Sequence, residues 1–271
     1  VHTALELGVN HFDHADIYGG GECETVFGKV LKADKTLRDK LLLQSKCGIG
    51  KNKYDFSKAH ILSAVEGSLK RLGTSYLDML LLHRPDALME PEEVAEAFET
   101  LEQQGKVRQF GVSNFSPFQC DLIQSAVTQK LVVNQLQFGL MHTGMVDFGL
   151  CTNTDFDGGI NRDGGVLDYC RLRGITIQAW SPFQYGFFEG PFVDNEKFPE
   201  LNRQLESLSE QYGVSKTALS AAWILRHPAN MQVIAGTTST ERLMDICTAA
   251  DVALSRSDWY ALYLAAGNRL P

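Results

Sequence analysis

Short apolar runs alternate with amphipathic stretches along almost the whole chain. Leu77–His83 is apolar at nearly every position, which is typical of a strand covered on both faces. Ser57–Leu72 instead repeats apolar residues at helical spacing, and Ser57 is suited to cap that helix. Strands that alternate with helices predict a parallel sheet, and therefore an α/β protein.

Seven strands and ten helices are predicted from this pattern. The strands are expected at Asn10–Asp13, Leu41–Lys46, Leu77–His83, Val107–Ser113, Leu131–Gln137, Ile175–Trp180 and Met231–Ala235. The helices are expected at Val1–Gly8, Glu22–Lys32, Ser57–Leu72, Pro91–Gln104, Ser116–Val127, Gly164–Arg173, Pro199–Tyr212, Lys216–Arg226, Thr240–Ala250 and Ser257–Ala266. Two long irregular stretches, Gly139–Gly165 and Ser181–Lys197, are expected to form loops after strand ends.

The absence of two motifs favours a closed barrel over an open sheet. No GxGxxG follows the first strand, and no P-loop occurs. A length of 271 residues is ordinary for one barrel. We therefore predict an α/β fold of the (β/α)8 TIM barrel type, with residues 1–271 forming a single domain. Because Val1 lies inside a predicted helix, the first barrel strand is expected upstream of residue 1.

Charge and cysteine content narrow the class of protein. The net charge is −8 and no basic block occurs, which argues against a general affinity for nucleic acid or anionic membranes. No apolar run is long enough to span a bilayer, and no charged-then-apolar leader opens the sequence. The six cysteines show no CxxC and no zinc-ligand spacing. We expect reduced thiols in a cytoplasmic protein that binds no metal.

Polar residues close the predicted strands. Asp13, Lys46 and His83 each end an apolar run, and Tyr18 follows Asp13 by five residues. In a parallel barrel the strand C-termini meet at one mouth, where catalytic groups collect. A lone histidine at a strand end is more often structural than catalytic. Four polar residues of complementary chemistry in this arrangement nevertheless predict one site.

Seven collinear motifs then identify a resemblance. FDHADIYGGGE, LLLQSKCG, LDMLLLHRPD, GKVRQFGVSNF, VVNQLQF, QAWSPF and GTTSTERL resemble the aldo-keto reductase family, bacterial members in particular, over nearly the whole chain. The resemblance implies a (β/α)8 barrel that reduces aldehydes or ketones to alcohols with a nicotinamide cofactor.

The resemblance also implies a catalytic tetrad of Asp13, Tyr18, Lys46 and His83. Hydride transfer to a carbonyl carbon leaves charge on oxygen, and that oxygen must be protonated or stabilised. A free tyrosine is a poor acid–base group at neutral pH, but a neighbouring ammonium favours its phenolate. Tyr18 is therefore expected to donate the proton. Asp13 is expected to hold Lys46 in place, and His83 is expected to orient the substrate.

The cofactor-binding residues are implied in the same way. Ser113, Asn114 and Gln135 are expected to hydrogen-bond the carboxamide of the nicotinamide, and Trp180 to stack on its ring. The phosphates are expected at a helix N-terminus. The remaining cofactor-binding positions are Ser181, Gly236, Thr237, Thr238, Ser239 and Arg242.

One departure from the family concerns cofactor choice. Many members carry a lysine where Gly236 stands, and that lysine helps to hold the 2′-phosphate of NADP. Arg242 remains as its expected partner. We therefore expect NADPH as the cofactor, with NAD possible, and a small carbonyl compound as the substrate. The oligomeric state is left open.

Two other functions are compatible with these residues. The family includes nicotinamide-binding subunits with slow turnover that regulate or sense redox state, which an intact tetrad disfavours. A metal-dependent barrel hydrolase could use His83 and nearby aspartates, but the sequence lacks an HxH pair and a second histidine at ligand spacing. Aromatic residues on the long loops, including Phe187 and Phe188, favour apolar carbonyl substrates over sugars.

Overall fold

A computed structural model describes all of residues 1–271 and contains a seven-stranded principal sheet. Its strands, in the order in which they neighbour one another, are β1 (His11–Asp13), β2 (Leu42–Cys47), β5 (Leu77–Leu82), β6 (Val107–Ser113), β7 (Leu131–Gln137), β8 (Thr176–Trp180) and β11 (Met231–Val233). Two small hairpins pair β3 (Ile49–Gly50) with β4 (Lys53–Tyr54) and β9 (Gln184–Tyr185) with β10 (Gly190–Pro191). All seven predicted strands are present.

Eleven α-helices connect or follow these strands. They are α1 (His2–Glu6), α2 (Glu22–Ala33), α3 (Lys58–Leu72), α4 (Pro91–Gln103), α5 (Pro117–Gln124), α6 (Gly144–Leu150), α7 (Val166–Arg173), α8 (Pro199–Tyr212), α9 (Lys216–Leu225), α10 (Thr240–Cys247) and α11 (Arg256–Ala265). Short 3-10 turns lie at Tyr18–Gly21, Lys35–Lys40, Asp157–Gly159 and Thr248–Asp251. None of the helices combines the length and the apolarity that a bilayer crossing requires.

The chain folds into two compact units. The first comprises Val9–Asn134, and the second comprises Val1–Gly8 together with Gln135–Pro271. In the first unit, β1 pairs with β2, β2 with β5 and β5 with β6, all in parallel. In the second unit, β8 and β11 are also parallel. The predicted parallel α/β architecture is therefore observed.

Local sequence signals explain several helix boundaries. The Ser57 hydroxyl accepts a hydrogen bond from the amide of His60 and caps α3, as predicted. Pro91 occupies the first turn of α4, where its missing N–H costs nothing. Gly73 follows α3 in the left-handed conformation that glycine adopts without strain.

Helix α6 and both hairpins were not predicted. Helix α6 lies inside the expected Gly139–Gly165 loop and contains two glycines, so its intrinsic helix propensity is low. Tertiary contacts form it instead, because Met145 and Val146 are buried in the core of the second unit. Asp147 also accepts a hydrogen bond of 2.7 Å from the hydroxyl of Tyr263.

A stacked tryptophan pair anchors the core of the second unit. The rings of Trp223 and Trp259 lie 4.7 Å apart and nearly parallel. Each indole N–H donates to the backbone carbonyl of the other residue at 3.0 Å. Both polar atoms are thereby satisfied inside an apolar core, and α11 is fixed against α9.

In the first unit, α2 and α3 approach so closely that only a glycine fits at one position of α2. A Cβ atom on Gly28 would lie 2.2 Å from the backbone oxygen of Arg71. This obstacle is backbone, so it cannot rotate away. Gly28 therefore sets the distance between the two helices.

We expect Gly28→Ala to destabilise the protein by about 1–3 kcal/mol, although alanine is the better helix former. The control is Gly149→Ala in α6, because a Cβ atom there meets nothing within 4 Å. Urea unfolding of both variants measures the difference. Equal stability of Gly28→Ala and the parent would show that the helices separate without cost.

Candidate active site

The register of the first unit brings three predicted site residues together. Asp13 lies opposite Gln44 at the end of β1, and Lys46 follows two residues further along β2. Side chains two apart on a strand lie on the same face, so Gln44 and Lys46 both reach towards Asp13. His83 directly follows β5, where its amide donates to the carbonyl of Cys47 at 2.9 Å.

The ammonium of Lys46 is the centre of this arrangement. Its side chain is fully buried, and Nζ donates to the Asp13 carboxylate at 2.7 Å and to the carbonyl oxygen of His14 at 2.8 Å. The Tyr18 hydroxyl lies 3.2 Å from the same Nζ. Gln44 also donates to Asp13. The buried charge is therefore fully partnered, which is the condition under which such a charge is tolerated.

A tight turn presents Tyr18 at the surface of this polar group. Gly19 and Gly20 both have positive φ angles, of 57° and 65°, which L side chains adopt only with strain. Tyr18 remains 36% exposed although its partner Lys46 is buried. The phenol therefore contacts both the buried ammonium and the outside of the first unit.

His83 lies beside the phenol in a neutral form. The rings of Tyr18 and His83 meet edge-on with centroids 5.8 Å apart. Burial, with a smaller contribution from the Lys46 charge, lowers the pKa of His83 to about 3. Its Nδ1 atom is buried without a hydrogen-bond partner. A neutral imidazole can donate a hydrogen bond to a carbonyl oxygen, but it has no second proton to give.

A second polar group lies on the opposite face of β2. The buried carboxylate of Glu24 accepts hydrogen bonds from Ser45 at 2.6 Å and Arg71 at 2.7 Å. The Arg71 side chain also packs against Gly21, the last residue of the Tyr18 turn. Burial, and then the Glu24 charge, raise the pKa of Asp16 to about 6. Two helices and the Tyr18 turn are thus joined through one carboxylate.

Two of the predicted cofactor residues belong to the first unit. Asn114 has a positive φ of 63°, and its amide donates to the hydroxyl of Ser113 at 2.9 Å. The same amide lies 3.5 Å from the carbonyl of His83. Ser113 and Asn114 therefore lie beside His83.

In the second unit, Gln135 and Trp180 have well-defined neighbours. Gln135 donates to Gln178 at 3.0 Å, and Gln178 donates to Gln232 at 3.1 Å, so a row of amides crosses three strands. Trp180 ends β8 and stacks on Phe188 with centroids 5.8 Å apart. Ser181 follows it with a φ of 48°.

The remaining predicted residues surround the start of α10. Gly236 has a φ of 63°, and a Cβ atom there would meet only one atom within 4 Å. The hydroxyl of Thr237 accepts from the amide of Ser239, and Ser239 in turn caps the amide of Arg242. Thr238 is part of the same exposed turn.

The Arg242 side chain is exposed and has no hydrogen bond or ion pair within the chain. The nearby carboxylates have other partners, since Asp245 accepts from Ser215 and Glu241 accepts from Ser239. The arginine is therefore available to an external anion.

Two contributors were missed in the sequence. Gln44 shares the Lys46 face of β2, and the two-residue spacing of a strand could have indicated it. Glu24 gave no such signal, because its role depends on contacts with Ser45 and Arg71 that lie 21 and 47 residues away. No group of three or more His, Cys, Asp or Glu side chains is arranged to hold a metal ion, so the hydrolase hypothesis gains no support from the geometry.

The sequence model of the Aldo/keto reductase family matches residues 1–263. The chain belongs to the aldo/keto reductase family, and it is accordingly an NAD(P)H-dependent oxidoreductase of carbonyl compounds.

Individual relatives agree with this assignment. The chain is 37% identical to the uncharacterized oxidoreductase YcsN of Bacillus subtilis, covering 98% of this chain and 86% of the relative. It is 36% identical to a 6-dehydroglucose reductase of Agrobacterium fabrum, covering 100% and 88% of the two chains. The crystal structure of an aldo/keto reductase from Klebsiella pneumoniae with NADP and acetate matches with a TM-score of 0.76 at 25% identity, covering 99% and 86%. The predicted barrel class is thereby confirmed.

The low pKa of His83 predicts a pH dependence of stability. The unfolded chain takes up a proton at His83 near pH 6.5, whereas the folded site does so only near pH 3. Stability should therefore fall as the pH falls from 6.5 towards 3. On acidification from pH 7.5 to 5, the free energy of unfolding of His83→Gln should fall by roughly 1–2 kcal/mol less than that of the parent.

Urea unfolding at the two pH values measures this difference. The control is His2→Gln, because His2 is exposed at the start of α1. If His83→Gln lost as much stability as the parent on acidification, His83 would be protonated equally in the folded and unfolded chains.

Proposed function

We propose that this protein reduces aldehydes or ketones with hydride from NADPH and a proton from Tyr18. The observation that carries the proposal is the contact of Lys46 Nζ with both the Asp13 carboxylate and the Tyr18 hydroxyl, at 2.7 and 3.2 Å. An ammonium at this position stabilises a phenolate, so the phenol can give up its proton to the developing alkoxide.

In this proposal the tetrad residues have different tasks. Tyr18 protonates the oxygen, and Lys46 stabilises the phenolate that remains. Asp13 and Gln44 fix the position of Lys46. His83, neutral because of its burial, orients the carbonyl through a hydrogen bond and does not exchange its own proton with substrate.

The residues around α10 fit a phosphorylated cofactor. The amides of Thr240 and Glu241 lie in the first turn of α10, where a helix has no internal acceptor for them. The unpartnered Arg242 adds a guanidinium suited to a ribose phosphate. We propose that Gly236, Thr237, Thr238, Ser239 and Arg242 hold the phosphates, and that Ser113, Asn114, Gln135, Trp180 and Ser181 hold the nicotinamide. When bound, the nicotinamide supplies the hydride.

Two substrate classes have support of different kinds. Phe187 and Phe188 are 66% and 62% exposed and both contact the ring of Trp180, which favours an apolar carbonyl. Two relatives, at 36% and 33% identity, are 6-dehydroglucose reductases, which favours a sugar aldehyde. NADPH consumption with a panel of aromatic aldehydes, ketones, quinones and 6-dehydroglucose discriminates between the two. The alternative of a regulatory nicotinamide-binding module predicts cofactor binding without steady turnover of any of them.

Tyr18→Phe should lower turnover by about 10²–10⁴-fold because it removes the proton donor and keeps the ring. Cofactor affinity should not change. Tyr54→Phe is the control, since Tyr54 is an exposed tyrosine of the β3–β4 hairpin in the same unit. Near-normal turnover by Tyr18→Phe would assign the proton to another group.

Arg242→Ala should weaken NADPH binding roughly tenfold to a hundredfold and leave NADH binding unchanged. The reason is that only NADPH carries a phosphate on the adenine ribose. Arg203→Ala is the control, because Arg203 is an exposed arginine whose only ion pair is with Glu200 on the same helix. Dissociation constants for both cofactors measure the effect. Equal weakening of both, or a parent without preference, would contradict the assignment.

A further inference from the structure

The second unit contains a cavity of about 370 Å³ that is separate from the proposed catalytic and cofactor-binding residues. Its walls come from α6, α7, the turn that follows α9, and α11. The volume falls within the range of small-molecule sites in proteins. None of the tetrad or proposed cofactor residues lines it.

One side of the cavity is apolar and rigid. Trp259 is only 7% exposed, and it is held by its stacking on Trp223 and by the two reciprocal indole hydrogen bonds. Val146 and Leu167 continue this surface and are buried as well. A ligand with an aromatic or branched body would find a preformed flat surface here.

The rim of the cavity is cationic, although the whole chain carries a charge of −8. Arg171, Arg226 and Arg256 line it, and Asp168 is the one carboxylate among the lining residues. Arg256 makes no hydrogen bond or ion pair within the chain. Arg226 uses its Nε to bind the carbonyl of Leu254 at 2.7 Å, which leaves its terminal N–H groups available. Arg171 is 3.9 Å from Asp168, too far for a hydrogen bond.

A neutral histidine completes the lining. His227 accepts a hydrogen bond from the amide of Ala229 at its Nδ1 atom, so its proton resides on Nε2. Burial, and then the charge of Arg171, lower the pKa of this imidazole to about 4. His227 is therefore a hydrogen-bond donor at neutral pH without adding charge.

We propose that this cavity is a binding site for small amphipathic carboxylates, with the apolar body on Trp259 and the carboxylate between Arg256 and Arg171. A guanidinium binds a carboxylate through two parallel hydrogen bonds, and two such groups beside an apolar floor select for an anion with an apolar body. Neutral apolar molecules lack the anionic group, and small inorganic anions lack the body.

Two probes that differ only in charge test this specificity. The titration of the cofactor-free protein with 1-naphthoate and with 1-naphthamide, followed by calorimetry, compares the carboxylate with its neutral amide. The parent should bind naphthoate at least about tenfold more tightly than naphthamide.

Variants locate the binding. Gly149 lines the cavity, and a Cβ atom there meets nothing within 4 Å, so Gly149→Leu should fill the cavity and abolish naphthoate binding. Gly144→Leu is the matched control, since Gly144 begins the same helix with equal free space and does not line the cavity. Arg256→Gln should weaken naphthoate about tenfold and leave naphthamide unchanged. Arg203→Gln controls for the loss of an exposed arginine.

A carboxylate could also bind at the candidate active site, and His83→Gln separates the two locations. Naphthoate binding that persists in His83→Gln and is lost in Gly149→Leu supports the second site. Binding that is lost in His83→Gln and persists in Gly149→Leu overturns it. The absence of binding by the parent up to about 5 mM, or equal affinity for the two probes, overturns it as well. None of these readouts depends on turnover, so the proposed reductase activity is tested separately.

Discussion

The buried ammonium of Lys46 constrains the first unit more than any other group. A charge with no exposed surface is tolerated only if several acceptors surround it, and here they are the Asp13 carboxylate, the His14 carbonyl and the Tyr18 hydroxyl. These acceptors come from β1 and the turn after it, whereas Lys46 comes from β2. A one-residue slip of β2 would turn Lys46 to the opposite face and leave it without partners. Because the Lys46 ammonium needs these acceptors, its burial also fixes the register of β2 and the position of the Tyr18 phenol.

Strand β2 makes buried polar contacts on both of its faces. Gln44 and Lys46 contact Asp13 on one face, while Ser45 contacts the buried Glu24 on the other. Glu24 binds Arg71, and the Arg71 side chain packs on Gly21 at the end of the Tyr18 turn. Tyr18 is thus held from two directions, through its hydroxyl by Lys46 and through its backbone turn by Arg71. Preorganisation of this kind allows a half-exposed side chain to keep a defined position.

The sequence was sufficient for the strands and the residues that end them, because both depend on local patterns. Leu77–Leu82 is apolar at every position except Asp78, and all six of its residues are buried. Longer-range features were not predictable for a physical reason. Helix α6 carries glycines at positions 144 and 149, and it is stabilised by a hydrogen bond from Tyr263, 116 residues away. The partners of Glu24 are equally remote, so no local window contains the signal. The same holds for the cavity beside Trp259, whose three arginines are scattered between positions 171 and 256.

Burial acts in opposite directions on two titratable groups of the first unit. It lowers the pKa of His83 to about 3 and raises the pKa of Asp16 to about 6, because in each case it disfavours the charged form. His83 therefore weakens the fold as the pH falls below 6.5, whereas Asp16 weakens it as the pH rises from 3.8 towards 6. Titratable groups with shifted pKa values cluster at functional sites. At neutral pH His83 carries no charge, and the cation that contacts the Tyr18 hydroxyl is the ammonium of Lys46. The proposed division of tasks follows from this: the lysine stabilises the phenolate, and the histidine only orients the carbonyl.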